Sequence, residues 1–270
     1  MLDGSEAGRQ SWGRFCAVSD RPKLVLHVVP FSHPCLAVTA VLDRHGLEYE
    51  TVEMVSGTHG DKIESIYGEG RRTVPGLLVD DEPVHGTIAI FEKLDELVDD
   101  ADLYPGAVAG AIREAERGIA EDLQTAGRNL IFGALHFRPE ALGTFAGTGP
   151  LDPAGTDFAI KLARGAWRYI GITAVGLAKE LAALPDQLDI VDELIEGGVA
   201  GGDEPTAVDY QLGSSLHLLL QIGDVRPLIE GRPAESLVDA WFERGPADIP
   251  AGAFPAGWVP ERSDSAQTAA

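Results

Sequence analysis

The chain has 270 residues and carries 43 acidic against 21 basic side chains, a formal net charge of −22, with 44% hydrophobic and 24% charged residues. The acids are spread along the sequence and the longest basic run is Arg71-Arg72, so no patch has the sign that nucleic acid or an anionic membrane surface requires, and both are excluded as partners. The apolar runs fall far short of the ~18 residues of a membrane helix, and positions 1–21 are polar with no signal-peptide core. Two cysteines, Cys16 and Cys35, are too few for a disulfide framework, and the expected setting is reducing and cytoplasmic. The histidines form no H-x-x-x-H pair, so no metal is expected.

In chain order, Leu24 to Val29 is apolar and β-branched, which predicts a strand, and Pro34 to Leu42 is apolar and helix-compatible. Between them lies Pro30-Phe31-Ser32-His33-Pro34-Cys35. Ser32 suits the N-cap, Pro34 an early helical position and Gly46 the far end. A helix N-terminus offers free N–H groups and a positive dipole end, so an anion such as a thiolate would be stabilised beside Ser32. The plainer role for Ser32 is capping alone. Residues 47–55 predict a second strand, 60–67 a short helix, Thr73 to Val79 a strand, Asp80 to Glu82 a turn and Pro83 to His85 another strand. From Thr87, the apolar residues Ile90, Phe91, Leu94, Leu97 and Val98 share one helical face. The order βαβαββα is a thioredoxin-like α/β sandwich.

These residues resemble the N-terminal domain of the glutathione S-transferase superfamily. Ser32-His33-Pro34-Cys35 is similar to the S-x-P-C pattern of the theta and delta classes, whose Ser hydroxyl bonds the thiolate. Val74-Pro75 resembles the Val-Pro step where that family has a cis proline, the preceding residue pairing its backbone with the thiol cofactor's peptide. Leu103-Tyr104-Pro105 resembles the end of the interdomain linker, and Thr206-Ala207-Val208-Asp209 the helix-capping box of the helical domain. The resemblance spans roughly residues 22 to 245. It implies catalysis through Ser32, a thiol site including His33, Val74, Pro75, Gly86 and Thr87, a hydrophobic electrophile beside Phe31, Asn129, Phe132 and Trp167, and a homodimer.

One departure bears on the cofactor. Where the family has a Glu/Gln-Ser pair that grips the γ-glutamyl end of glutathione, this chain has Gly86-Thr87. Thr87 still offers a hydroxyl and helix-cap N–H groups to a carboxylate, but Gly86 has nothing for the ammonium, and loss of that charge-assisted bond weakens binding by about 1.5–3 kcal/mol. His85, Arg71 and Arg72 are either partners for a different acidic group or ordinary edge and loop surface. Sixteen Arg against five Lys, with plentiful Ala and Gly, is what a GC-rich genome produces; in an actinobacterium the main small thiol would be mycothiol. The expected cofactor is glutathione or another low-molecular-weight thiol such as mycothiol.

Cys35 occupies the second position of what a glutaredoxin would write as C-x-x-C, and Leu36 and Val38 beside it predict burial. The helical half is expected as a run over 107–137 weakened by Gly110, Gly118, Gly127 and Gly133, a loop over 139–156, a helix from Thr156 to Leu184, a shorter one from Asp186 to Ile195, a buried helix after Asp209, and segments at Val225 to Glu230 and Pro233 to Phe242. The aromatics Phe31, Phe132 and Trp167 are either pocket wall or interhelical core. The organisation read from the sequence is a tail over 1–21, a thioredoxin-like thiol-binding domain over 22–99, an all-helical domain over 100–262 and a tail over 263–270. The functional reading is a thiol transferase acting on an electrophile; the alternatives are a non-catalytic binding protein with this fold and a Cys35-dependent thiol-disulfide reductase.

Overall fold

The computed structural model describes residues 22–98, 101–149 and 151–261. Both tails, Cys16 and the expected domain boundary at 99/100 lie outside the described residues. The N-terminal half runs β1 (Leu24–Val28), α1 (His33–Arg44), β2 (Tyr49–Glu53), α2 (Gly60–Tyr67), β3 (Gly76–Val79), β4 (Glu82–His85) and α3 (Thr87–Leu97). Its sheet has the order β2-β1-β3-β4, with β1 parallel to β2 and antiparallel to β3, and β3 antiparallel to β4. This is the expected thioredoxin-like arrangement.

The sheet is four strands wide because both of its edges are blunted. On β2 the side chains of Glu50, Thr51 and Glu53 are exposed, and on β4 Pro83, paired in register with Leu78, has no N–H to donate. Its centre is apolar: Leu24 and Leu26 of β1 and Leu77 and Val79 of β3 are buried against Val38, Val41 and Leu42 of α1 and Ile90, Phe91 and Leu94 of α3. On the other face a smaller cluster gathers Val29, Met54, Ile63 and Tyr67. Tyr67 lies across the start of β3, where a Cβ on Gly76 would stand 2.3 Å from its ring, so only glycine permits the approach. The Tyr67 hydroxyl is 2.7 Å from His27 Nδ1 inside the sheet face.

The helical half comprises α4 (Ala109–Ala115), a π-helical turn (Glu116–Ala120), α5 (Glu121–Phe137), a 3-10 turn (Pro139–Ala141), α6 (Leu142–Phe145), α7 (Pro153–Ile170), α8 (Ala174–Glu196), α9 (Ala207–Leu220), α10 (Arg226–Ile229) and α11 (Ser236–Trp241). The glycines over 107–137 do not break the run; its irregularity is the π turn at Glu116. The expected loop over 139–156 contains two short helical turns, and α7 begins at Pro153, capped by Asp152, whose Oδ1 accepts from the Gly155 N–H at 2.7 Å. The expected helix from Thr156 to Leu184 is instead divided at Gly171, whose φ of 79° closes α7, and restarts with Thr173 as cap. The division expected at Pro185 does not occur, because the buried stripe Leu177, Leu181, Leu184, Leu188 and Val191 carries α8 through the proline. The capping box at α9 is present: Asp209 Oδ2 accepts from the Thr206 N–H and hydroxyl at 2.7 Å each. No described helix is long and apolar enough to cross a membrane.

The helical half is knit together around a buried carboxylate. Glu116, fully enclosed in the π turn, accepts from the Tyr104 hydroxyl at 3.0 Å and from Gln211 Nε2 on α9 at 2.5 Å, while its other oxygen has no partner. Arg113 lies over the Tyr104 ring at 4.3 Å and faces Glu92 of α3. Burial is the main cause that raises the Glu116 carboxyl to about 7. An acid raised in the folded state keeps its proton longer there than when unfolded, so its contribution to stability is greatest in the acid range and declines as pH rises from about 4.5 through 7. Stability measured against pH should therefore fall over that interval by up to about 3 kcal/mol, and Glu116→Gln should flatten the fall, as read by denaturant titration at several pH values.

Candidate thiol site

The register places three chain ends at one end of the sheet. His27 near the end of β1 stands opposite Gly76 at the start of β3, and Gly76 opposite His85 at the end of β4. The loop with Ser32, the Val74-Pro75 step and the Gly86-Thr87 step are thereby brought together. The Val74-Pro75 bond is cis, as the resemblance implies. Pro75 O accepts from the Gly86 N–H at 3.1 Å, tying the second step to the third. Val74 precedes β3, and among the described residues its peptide N–H and C=O make no backbone hydrogen bond.

Gly86 has φ 89° and ψ 152°, a region that L side chains rarely adopt, which accounts for a glycine where the family pattern has Glu or Gln. A Cβ there would meet nothing within 4 Å, so the backbone conformation and not crowding sets the requirement. Gly86 is the N-cap of α3, and Thr87 begins the helix with its residue buried. The first-turn N–H groups of α3 have no intrahelical acceptors and carry the positive end of the helix dipole. They suit a carboxylate, the chemistry that a γ-glutamyl thiol presents.

Ser32 is half-buried and has the extended backbone of an N-cap, φ −76° and ψ 110°, yet its side chain makes no capping hydrogen bond. The expectation that its hydroxyl closes the helix end is corrected: the hydroxyl instead neighbours the Cys35 thiol. The residue before it is strained. Phe31 has φ 63°, an unusual value for a bulky side chain, is 60% exposed, and stacks its ring on Phe145 of α6 with centroids 5.3 Å apart. That contact joins the Ser32 loop to the helical half.

His33 does not face the site. Its ring is buried against α5, with Nε2 3.1 Å from the Gln124 carbonyl oxygen, and burial lowers its pKa to about 4. A neutral ring donating to that carbonyl is a bolt between the halves, so the expectation of His33 as a cofactor contact is corrected. Cys35 is 4% exposed and burial raises its thiol pKa, with the Ser32 side chain and the Val29 backbone pulling the other way.

Among the residues expected near an electrophile, only Phe31 stands open at the loop. Asn129 donates from Nδ2 to Glu180 Oε1 at 2.7 Å across α5 and α8, leaving Asn129 Oδ1 and Glu180 Oε2 buried and unpartnered. Burial raises the Glu180 carboxyl, and the exposed Arg128 lowers it. Phe132 is half-buried against the helical core, and Trp167 stacks on His136 at 4.1 Å. Phe145 and Arg128, which acts on both His33 and Glu180, were not singled out in the sequence; neither lies in a motif. His85 Nε2 is 2.8 Å from the Thr73 carbonyl oxygen, and Arg72 is engaged by Asp61, Glu64 and the Tyr169 hydroxyl of α7.

Comparison with known proteins agrees with this architecture. Residues 26–101 match the glutathione S-transferase N-terminal domain family. No curated protein matches the chain in sequence. Among solved structures, a rice glutathione transferase in complex with glutathione superposes with a TM-score of 0.53 at 17% identity, covering 83% of this chain and 86% of the other. A glutathione transferase from Populus trichocarpa gives 0.53 at 17% over 81% and 91%. The beta-etherase LigF from Sphingobium sp. strain SYK-6 gives 0.52 at 18% over 81% and 99%. Residues 26–101 are thus similar to the glutathione S-transferase N-terminal domain, and the chain as a whole has the fold of these solved transferases.

Proposed function

We propose that the chain is a glutathione S-transferase-like enzyme that activates a small thiol for attack on an electrophilic carbon. The observation that carries this reading is Ser32: a half-buried hydroxyl at a strand-to-helix junction, not spent on capping the helix, at the same end of the sheet as the cis Val74-Pro75 peptide and the N-terminus of α3. The rice relative is in complex with glutathione, which supports a thiol ligand for this fold. A bound thiol would supply the nucleophilic sulfur. Ser32 donates its hydroxyl hydrogen to that sulfur and favours the thiolate at neutral pH. Val74 pairs its open peptide groups with the ligand's backbone, and Thr87 with the α3 N-terminus holds its carboxylate. Phe31 and Phe145 form an apolar wall for a hydrophobic electrophile. A homodimer, which sedimentation or light scattering would measure, is part of the same reading.

Gly86 sets the thiol specificity in this proposal, because it offers no side chain to an ammonium. Thermal unfolding with glutathione and with mycothiol, each at millimolar concentration, distinguishes them: a native-state ligand raises stability by RT ln(1 + [L]/Kd), and a shift with one thiol identifies the cofactor. A shift with neither makes non-catalytic ligand binding the better reading. With the thiol identified, Ser32→Ala should lower kcat on the order of a hundredfold with little change in thiol affinity; an unchanged kcat removes Ser32 from the mechanism.

The reductase alternative requires an accessible, easily ionised Cys35, and its burial and raised pKa run against that. In the native protein at neutral pH, Cys35 should resist iodoacetamide, as read by peptide mass mapping, and become modified only on unfolding. Rapid native labelling, together with loss of mixed-disulfide reduction in Cys35→Ser, would restore the redox reading.

A further inference from the structure

The end of β4 reaches back to the cis-proline step with two consecutive residues. The Gly86 N–H donates to the Pro75 carbonyl at 3.1 Å, and His85 Nε2 lies 2.8 Å from the Thr73 carbonyl oxygen. A carbonyl oxygen can only accept, so Nε2 carries the ring proton and donates. Among the described residues these two bonds are what holds Thr73-Val74-Pro75 outside the sheet ladder, and they take the carbonyls on either side of Val74.

The Thr73 bond acts on Val74 through the peptide plane. Val74-Pro75 is cis but Thr73-Val74 is trans, and a trans peptide is rigid, with its C=O and N–H pointing in opposite directions. Holding the Thr73 oxygen therefore fixes the direction of the Val74 N–H, which makes no backbone hydrogen bond. A donor at that oxygen also polarises the amide and strengthens the N–H at its other edge. Gly86 cannot do the same, because the Pro75 carbonyl belongs to the next plane, shared with Gly76.

The His85 ring is itself backed. It packs on Tyr67, with centroids 5.5 Å apart and planes tilted by 47°, and the Tyr67 hydroxyl is 2.7 Å from His27 Nδ1 on β1. Burial, aided by the neighbouring Arg71, lowers the His85 pKa against the pull of the Thr73 bond. At neutral pH the ring is therefore uncharged, its one proton is spent on Thr73, and Nδ1 can only accept. Such a ring is a poor partner for an acidic ligand group. We infer that His85 is a positioning residue of the thiol site, aiming the Val74 N–H at the cysteinyl carbonyl of the bound thiol through its bond to the Thr73 oxygen. This inference rests on the thiol-transferase reading. Ser32 acts on the sulfur and His85 on the grip, so the two govern separate quantities, the ionisation of the bound thiol and its affinity.

The test titrates the full chain with glutathione and with mycothiol, both of which present a cysteinyl amide. Calorimetry gives the affinity, and the ultraviolet absorbance of the thiolate against pH gives the apparent pKa of the bound thiol. For whichever thiol binds, His85→Leu should weaken binding about three- to tenfold and leave that pKa in place. His85→Gln, whose amide N–H reaches the position of Nε2, should restore the affinity. His85→Asn, whose amide ends at the position of Nδ1, should bind as weakly as His85→Leu, so the Gln and Asn pair decides the matter if the leucine variant does not fold. Ser32→Ala should give the reverse pattern, a raised thiol pKa with affinity kept. Wild-type affinity in His85→Leu or His85→Asn, no recovery in His85→Gln, or a thiol pKa that moves together with affinity overturns the inference and leaves the thiol-transferase reading standing. Binding of neither thiol by the wild type overturns that reading itself, and the inference with it.

Discussion

The position of α1 governs the rest of the molecule. Its inner face, Ala37, Val38, Val41 and Leu42, is sealed against the sheet and the core, and its first turn is pinned to α5 by the His33 bond to the Gln124 carbonyl. A helix fixed at its N-terminus by another domain cannot shift along the sheet without breaking that bond and leaving a buried imidazole N–H unpaired, at about 1–3 kcal/mol. The Ser32 hydroxyl sits one residue before this bolt, so the precision of the candidate site derives from the interdomain junction. Glu116 fixes the helical half itself, one carboxylate oxygen gathering Tyr104 and Gln211 of α9, and the neighbouring Arg113 faces Glu92 of α3 across the junction.

The parts of the fold that were legible in the sequence are those with short-range chemistry. Apolar β-branched runs became β1 and β3, Ile90, Phe91 and Leu94 of the α3 stripe became its buried face while Leu97 is exposed and Val98 lies past the helix end, and Thr206 with Asp209 became a capping box because a box needs only four residues to recognise itself. The candidate thiol site was legible as a set of steps, Ser32, Val74-Pro75 and Gly86-Thr87, since each lies next to a strand terminus. The misreadings have a common origin in long-range packing. His33 was placed at the thiol site by its motif, and only α5, some ninety positions away, supplies its partner. Pro185 reads as a helix break locally, but a five-residue buried stripe spans it.

The same reasoning explains why Asn129 and Phe132 were read as pocket residues and Phe145 was passed over. Residues on α5 carry no local mark of which neighbour they face; Asn129 turns to Glu180 on α8, and the ring that meets Phe31 comes from a four-residue helix inside a segment rich in Gly, Pro and Thr.

The two edges of the sheet have a bearing on how copies of this chain can meet. β4 offers a proline at its second position and β2 two exposed carboxylates, Glu50 and Glu53, so neither edge is a template on which another strand could be laid with a full ladder. Joining two sheets through β2 would also set like charges side by side. Growth of the sheet from molecule to molecule, the route by which open edges lead to fibres, is blocked at both sides, and assembly is left to the helical surfaces and the chemistry of their side chains.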